Sequence, residues 1–191
     1  KETLDDTFRT ALTGDSKEYR ESSSSLMFAF VLAILLIYLI LAAQFESFKD
    51  PLIIMLTVPL AIAGALIFMY FNDITMNIFS QIGIIMLIGL VAKNGILIVE
   101  FANLKQEAGE DKMEAIKDAS LQRLRPILMT SASTILGLIP LAFASGEGCN
   151  QRIAMGTAVV GGMLVSTFLT MYIVPAIYSY VSTNRSKLKT E

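Results

Sequence analysis

Apolar residues run through this chain in five long blocks, Leu26–Ala43, Pro51–Phe71, Ile78–Val99, Pro126–Ala144 and Ile153–Val181, with short polar joints between most of them. A helix needs about 20 predominantly apolar residues to cross a hydrocarbon layer of about 30 Å, so each block reads as a span. Leu26–Ala43 is the shortest, and it holds no charge, proline or glycine. Pro51–Phe71 is uncharged and carries Pro59 near its middle. Ile153–Val181 is long enough to tilt or to extend past the interface. A soluble core can hold one helix that is apolar all round, but five in 191 residues leave almost no amphipathic ones to face water. The pattern therefore predicts an all-α fold: an integral membrane bundle of five transmembrane helices.

The joints Gln44–Asp50 and Asn72–Asn77 have hairpin length, so the helices they connect should lie antiparallel. The link 100–125 is longer, and within it Met113, Ile116 and Ala119 recur at helical spacing with Lys112, Glu114, Lys117 and Asp118 between them. That pattern fits either a short amphipathic helix on the membrane face or a solvated helical linker. Residues 1–25 are polar and mixed in charge, as expected for the end of an outside domain and its connector. Residues 26–181 form the membrane region and 182–191 a tail. With the first residues outside, the inside segments hold nine Lys and Arg against five outside. The positive-inside rule thus sets the link 100–125 and the C-terminus in the cytoplasm.

Composition narrows the chemistry. The chain is 54% hydrophobic and 17% charged, where soluble domains carry about 25% charge. A net charge of −2 indicates no broad basic surface for nucleic acid. There is no histidine and one cysteine, Cys149, which removes histidine-based triads, common zinc sites and an intrachain disulfide. No Asp or Glu lies within any span, so an intramembrane enzyme lacks its nucleophile–base pair or metal ligands. Neither an enzyme, a metal site nor a cofactor is expected. The chain starts at Lys1 with no charged-then-apolar leader, and reads as a piece of something longer.

One full charge, Lys93, falls inside the apolar blocks, about two-thirds along Ile78–Val99. Eight residues separate it from Phe101, about 12 Å of helix. An ammonium at that depth costs at least about 2.5–3.5 kcal/mol, and persists only if paired or facing water; the alternative is a lysine that snorkels to the interface. Asn94 adds a polar group beside it, and Glu100 lies two turns on. The next block carries Thr130, Ser131, Ser133 and Thr134. Ser133 and Thr134 fit close helix packing. Thr130 lies about one turn inside its end, near the depth of Lys93 on an antiparallel helix. Arg123 precedes Thr130 by seven residues and shares its face only if the helix extends back past Pro126. Arg123 and Arg125 also fit positive-inside anchors. Ala158, Gly161 and Gly162 make a small-residue face on the last span, a signature of close packing.

Three strings, AAQFESFKDPLIIMLTVPLAIAGAL (42–66), QIGIIMLIGLVAKNGILIVEFAN (81–103) and RLRPILMTSASTILGLIPLA (123–142), resemble the C-terminal membrane region of resistance–nodulation–cell division (RND) multidrug efflux transporters. The resemblance runs from Ser22 to Val181, with the strings in the family's order and spacing. It implies a twelve-helix transporter built as two parallel repeats, of which this chain holds the last five helices. It further implies a homotrimer in the bacterial inner membrane, proton antiport of hydrophobic or amphiphilic drugs, and drug binding in large periplasmic domains. A periplasmic adaptor protein and an outer-membrane channel are the implied partners. Lys93 of the AKN string would pair with carboxylates supplied by the N-terminal half. Thr130 of LMTS and Arg123 of RLRP would join the same proton relay, and Asn94 matches the family string beside the lysine. The carboxylates have no counterpart in this chain. An RND exporter of metal ions or lipids and a non-transporting membrane scaffold subunit remain the other readings.

Overall fold

A computed structural model describes residues 15–146 and 148–182, with side chains from Ser25 onward. The expected tail beyond Ser182 and residues 1–14 lie outside the described residues. Six helices follow one another: α1 (Asp15–Phe45), α2 (Lys49–Met55), α3 (Thr57–Phe71), α4 (Ile78–Glu107), α5 (Lys112–Ala142) and α6 (Cys149–Val181). With α2 and α3 taken together as Lys49–Phe71, five stretches are long and apolar enough to cross a membrane. The all-α membrane bundle expected from the apolar blocks is the observed fold, and no strand occurs among the described residues.

Local chemistry sets the boundaries. Pro59 has no N–H to offer the carbonyl of Met55, and the helix breaks at Leu56, with Thr57 Oγ1 donating to Ile54 O at 2.7 Å. Asn77 and Ser80 start α4 with a reciprocal cap: Ser80 N donates to Asn77 Oδ1 and Asn77 N to Ser80 Oγ, both at 2.8 Å. At the other end, Gly109 takes φ +103°, Gly109 N donates to Gln106 O and Glu110 N to Lys105 O. This paired closure of the last turn needs a left-handed residue just past the helix. Asp111 then caps α5 through Met113 N at 3.2 Å.

The segment 100–125 is thus the end of α4, a tight turn and the first turns of α5, rather than a separate helix. Ala115, Ile116 and Ala119 face the core there, while Met113 is exposed. Lys105 braces the turn by ion pairs to Glu110 at 2.7 Å and Asp118 at 3.0 Å. Helix α5 continues through both Pro126 and Pro140.

Helix α6 is the centre of the bundle, packed against α3, α4 and α5. Its small residues permit this. A Cβ on Gly161 would lie 2.2 Å from Phe68 Cβ, and one on Gly162 would lie 2.2 Å from Leu87 Cδ2. A Cβ on Gly156 would lie 2.6 Å from the backbone nitrogen of Ala142. These contacts, together with Gly83 against Met155 and Gln106 against Tyr178, make α4 and α6 run in the same direction with α5 reversed between them. Among the described residues helix α1 lies mainly against α2 and α4, and its Phe28, Leu35 and Ile40 stay exposed, as do Leu121, Met129 and Leu136 on α5. Faces this apolar suit lipid or further protein.

Candidate functional site

On α4, Ala92, Asn94 and Gly95 are buried, while Lys93 between them is exposed and points to the open side of the bundle. Among the described residues Lys93 has no hydrogen-bond or ion-pair partner. Asn94 is 2% exposed and its Nδ2 donates to Ser131 Oγ at 3.2 Å. That bond joins α4 to α5 and sets Thr130, the residue before Ser131, at the level of Lys93. Thr130 is itself exposed, with Oγ1 donating to Ile127 O at 3.1 Å, and Thr134 Oγ1 donates back to Thr130 O at 2.8 Å. Ser131 had no role in the sequence reading beyond its place in the hydroxyl-rich string; only the packing of α4 on α5 reveals it.

Arg123 lies two turns along α5 from Thr130, about 10 Å. Because α5 runs unbroken through Pro126, the two residues share a face. The guanidinium carbon sits 4.5 Å from the centroid of the Phe101 ring, a cation–π contact, and Nε is buried with no hydrogen-bond partner among the described residues. Arg125 is exposed, as an anchor would be.

Helix α6 adds hydroxyls at the same level. Leu87 packs on Gly162 and Gln106 bonds to Tyr178, so α4 residues 92–95 stand level with Thr167 and Thr170. Both threonines are buried, 4% and 1% exposed, and neither Oγ1 has a hydrogen-bond partner among the described residues. Polar groups from three helices therefore stand at the level of Lys93 in an otherwise apolar bundle, an arrangement able to stabilise a charge or relay a proton. No cluster of His, Cys, Asp or Glu that could hold an ion occurs among the described residues.

The sequence reading missed a second polar centre. Asp50, placed in a link, is 1% exposed at the start of α2. Its Oδ2 accepts from Asn103 Nδ2 and its Oδ1 from Ser182 Oγ, both at 3.1 Å. Tyr178 OH donates a short hydrogen bond to Asn103 Oδ1, and Gln106 Nε2 donates to Tyr178 OH at 2.8 Å. Lys112 Nζ, from α5, donates to Ser182 O at 2.6 Å. The available signal was the pair Asp50–Pro51 at a helix start, with Asp50 three residues after a capping-type Ser47.

Comparisons with known proteins agree with this architecture. The model of the AcrB/AcrD/AcrF family matches residues 1–182. A transporter of uncharacterised function from Haemophilus influenzae is 42% identical over 181 residues, covering 91% of this chain and 18% of its own length. The toluene efflux pump membrane transporter TtgB of Pseudomonas putida is 43% identical over 170 residues, 89% of this chain and 16% of that protein. The multidrug resistance protein MdtF of Escherichia coli K12 is 41% identical over 170 residues, 88% of this chain and 16% of that protein. The chain thus spans less than a fifth of the length of these relatives. By its family match and its membrane-spanning helices, the chain belongs to the AcrB/AcrD/AcrF family of RND efflux transporters, as a fragment of the length such proteins reach.

Proposed function

We propose that this chain is the membrane part of a proton-driven exporter of hydrophobic or amphiphilic drugs, working by proton antiport, with Lys93 at the centre of the coupling. The observation that carries the reading is the lone ammonium on α4: exposed on the open side of the bundle, with no partner among the described residues, and level with Thr130. The burial cost of such a charge is offset when acidic groups stand opposite, and the other half of the same transporter is the source we assign to them. While those carboxylates are ionised, Lys93 pairs with them. When they take up protons the attraction weakens, Lys93 turns toward hydroxyls such as Thr130, and the helices shift. Arg123 stands two turns further along the face of Thr130, placed for proton exchange with the aqueous edge. No enzymatic step is involved.

The names of TtgB and MdtF support drugs or solvents as the cargo class. Assembly as a homotrimer in the inner membrane, with an adaptor protein and an outer-membrane channel, completes the proposal. Its test is Lys93→Ala in the full-length transporter, read as drug export from cells. Export should be lost at unchanged protein level. Retained export would return Lys93 to a packing role; absence of export from the parent protein itself would favour the scaffold reading, and export of metal ions or lipids in place of drugs would redirect the substrate alone.

A further inference from the structure

We infer that Asp50, acting through Asn103, is a positioning residue for Lys93: their buried hydrogen bond pins α4 to α2, so that a shift of α4 is passed to α2 and α6 instead of being lost in rotation of one helix. The inference rests on the proposed role of Lys93.

A carboxylate that is 1% exposed is costly unless its oxygens are hydrogen-bonded, and both oxygens of Asp50 are. Replacing the whole network by well-packed apolar groups of similar volume is often neutral or stabilising, so stability alone does not account for the acid. The groups that hold it come from separate helices. Asn103 belongs to α4, Ser182 follows α6, and Tyr178 of α6 closes the chain of bonds onto Asn103. Lys112 brings α5 to the same corner through Ser182 O.

Two of the polar points that hold helix α4 lie at Asn94 and Asn103. Asn94 bonds to α5 through Ser131, and Asn103 bonds to α2 through Asp50. The nine-position step from Asn94 to Asn103 turns the helix about two and a half times, at about 3.6 residues per turn, so the two points lie on opposite faces. A helix pinned on opposite faces cannot spin to follow Lys93 when its electrostatic partner changes. It can tilt or slide, and the bond to Asp50 then carries the motion into α2, while the bonds of Tyr178 carry it into α6. The same two points fix the rotational setting that leaves Lys93, beside Asn94, on the open side.

The experiment reconstitutes the full-length transporter in vesicles and measures substrate export and proton uptake together. In Asp50→Ala, substrate exported per proton should fall about fivefold or more, the lower end of ordinary site-to-site coupling. The double exchange Asp50→Asn/Asn103→Asp should restore the ratio. In it the amide at position 50 donates to the carboxylate at position 103, Tyr178 OH donates to that same carboxylate, and Ser182 Oγ donates to the amide oxygen, so the bonds among these four residues are kept with donor and acceptor exchanged between positions 50 and 103. Tyr178→Phe removes one hydroxyl without opening a space, and should lower the ratio in the same direction if Asp50→Ala is poorly produced. An unchanged ratio in Asp50→Ala, or in Tyr178→Phe where the former does not fold, overturns the inference. So does a folded double exchange that stays uncoupled. Lys93→Ala is measured alongside. If it keeps coupled export, the Lys93 reading and this inference fall together; if it loses export while the Asp50 variants keep their ratio, only the inference falls.

Discussion

Replacing Gly156 with alanine isolates the tightest backbone crossing in the bundle. The added Cβ would lie 2.6 Å from Ala142 N, 2.9 Å from Ala142 Cα and 2.9 Å from Leu141 C. All three atoms are backbone, so no rotamer change relieves the clash, and α5 must move away from α6. Overpacking of this kind costs about 1–3 kcal/mol, while alanine regains about 1 kcal/mol of helix propensity over glycine. A net loss of up to about 2 kcal/mol is expected. Gly95→Ala is the matched control. Its Cβ would meet Ile54 Cγ2 at 3.2 Å, a side-chain methyl that can shift by a few tenths of an ångström, and the propensity gain should roughly cancel the contact. The assay is the apparent melting midpoint of the full-length transporter in detergent, with both variants and the parent measured at one scan rate because such unfolding is irreversible. Gly156→Ala should melt lower than the parent and Gly95→Ala within error of it. Equal midpoints for all three, or a larger loss for Gly95→Ala, would refute the account of α6 as a helix seated by its glycines.

Three further predictions follow from the site. Thr130→Ala should reduce export less than Lys93→Ala, since water can replace a hydroxyl already bonded to its own helix at Ile127 O; drug accumulation in cells compares the two. Arg123→Ala should slow export and alter its pH dependence, whereas Arg123→Lys should retain a cation over Phe101 and part of the rate; an unchanged pH profile in Arg123→Ala would make the residue an anchor. For orientation, Cys149 at the start of α6 should react with an impermeant thiol reagent added from outside, and Ala108→Cys, at the α4–α5 turn, should not react in a Cys149→Ser background.

Some of this architecture is legible in the chain itself, and the reason differs by feature. Apolar run length predicts the spans, because crossing a bilayer is a one-dimensional requirement; each of the five blocks lies largely or wholly within an observed helix or helix pair. The face of Ala158, Gly161 and Gly162 is legible for a similar reason: small residues one turn apart have one main use in a membrane helix, and here they meet Phe68, Leu87 and Ala61. Helix continuity was harder to foresee. Pro126 reads equally as a first turn or an interior residue, and only the packing of Ala115, Ile116 and Ala119 into the core shows that α5 begins at Lys112. Met113 has the right spacing but is exposed, since the stripe that packs is offset toward Ala115. Asp50 beside Pro51 marks a helix start in the sequence, but its burial is not legible there. An acid beside Lys49 at a span boundary resembles any interfacial charge, and its burial is decided by where α4 and α6 end in space. The Asn94–Ser131 bond is hidden for the same reason, being a property of two helices and not of either string.

The central claim is that Lys93 couples proton entry to export, and the most direct measurement is proton flux through the purified full-length transporter in vesicles under an imposed pH gradient. The parent protein, Lys93→Ala and Lys93→Arg are compared, with substrate present and absent. Substrate-stimulated proton flux is expected in the parent protein and none above lipid background in Lys93→Ala. Little recovery is expected in Lys93→Arg, because a planar, always-charged guanidinium is not interchangeable with a compact ammonium that must change partners. Substrate-stimulated flux in Lys93→Ala equal to that of the parent would contradict the account.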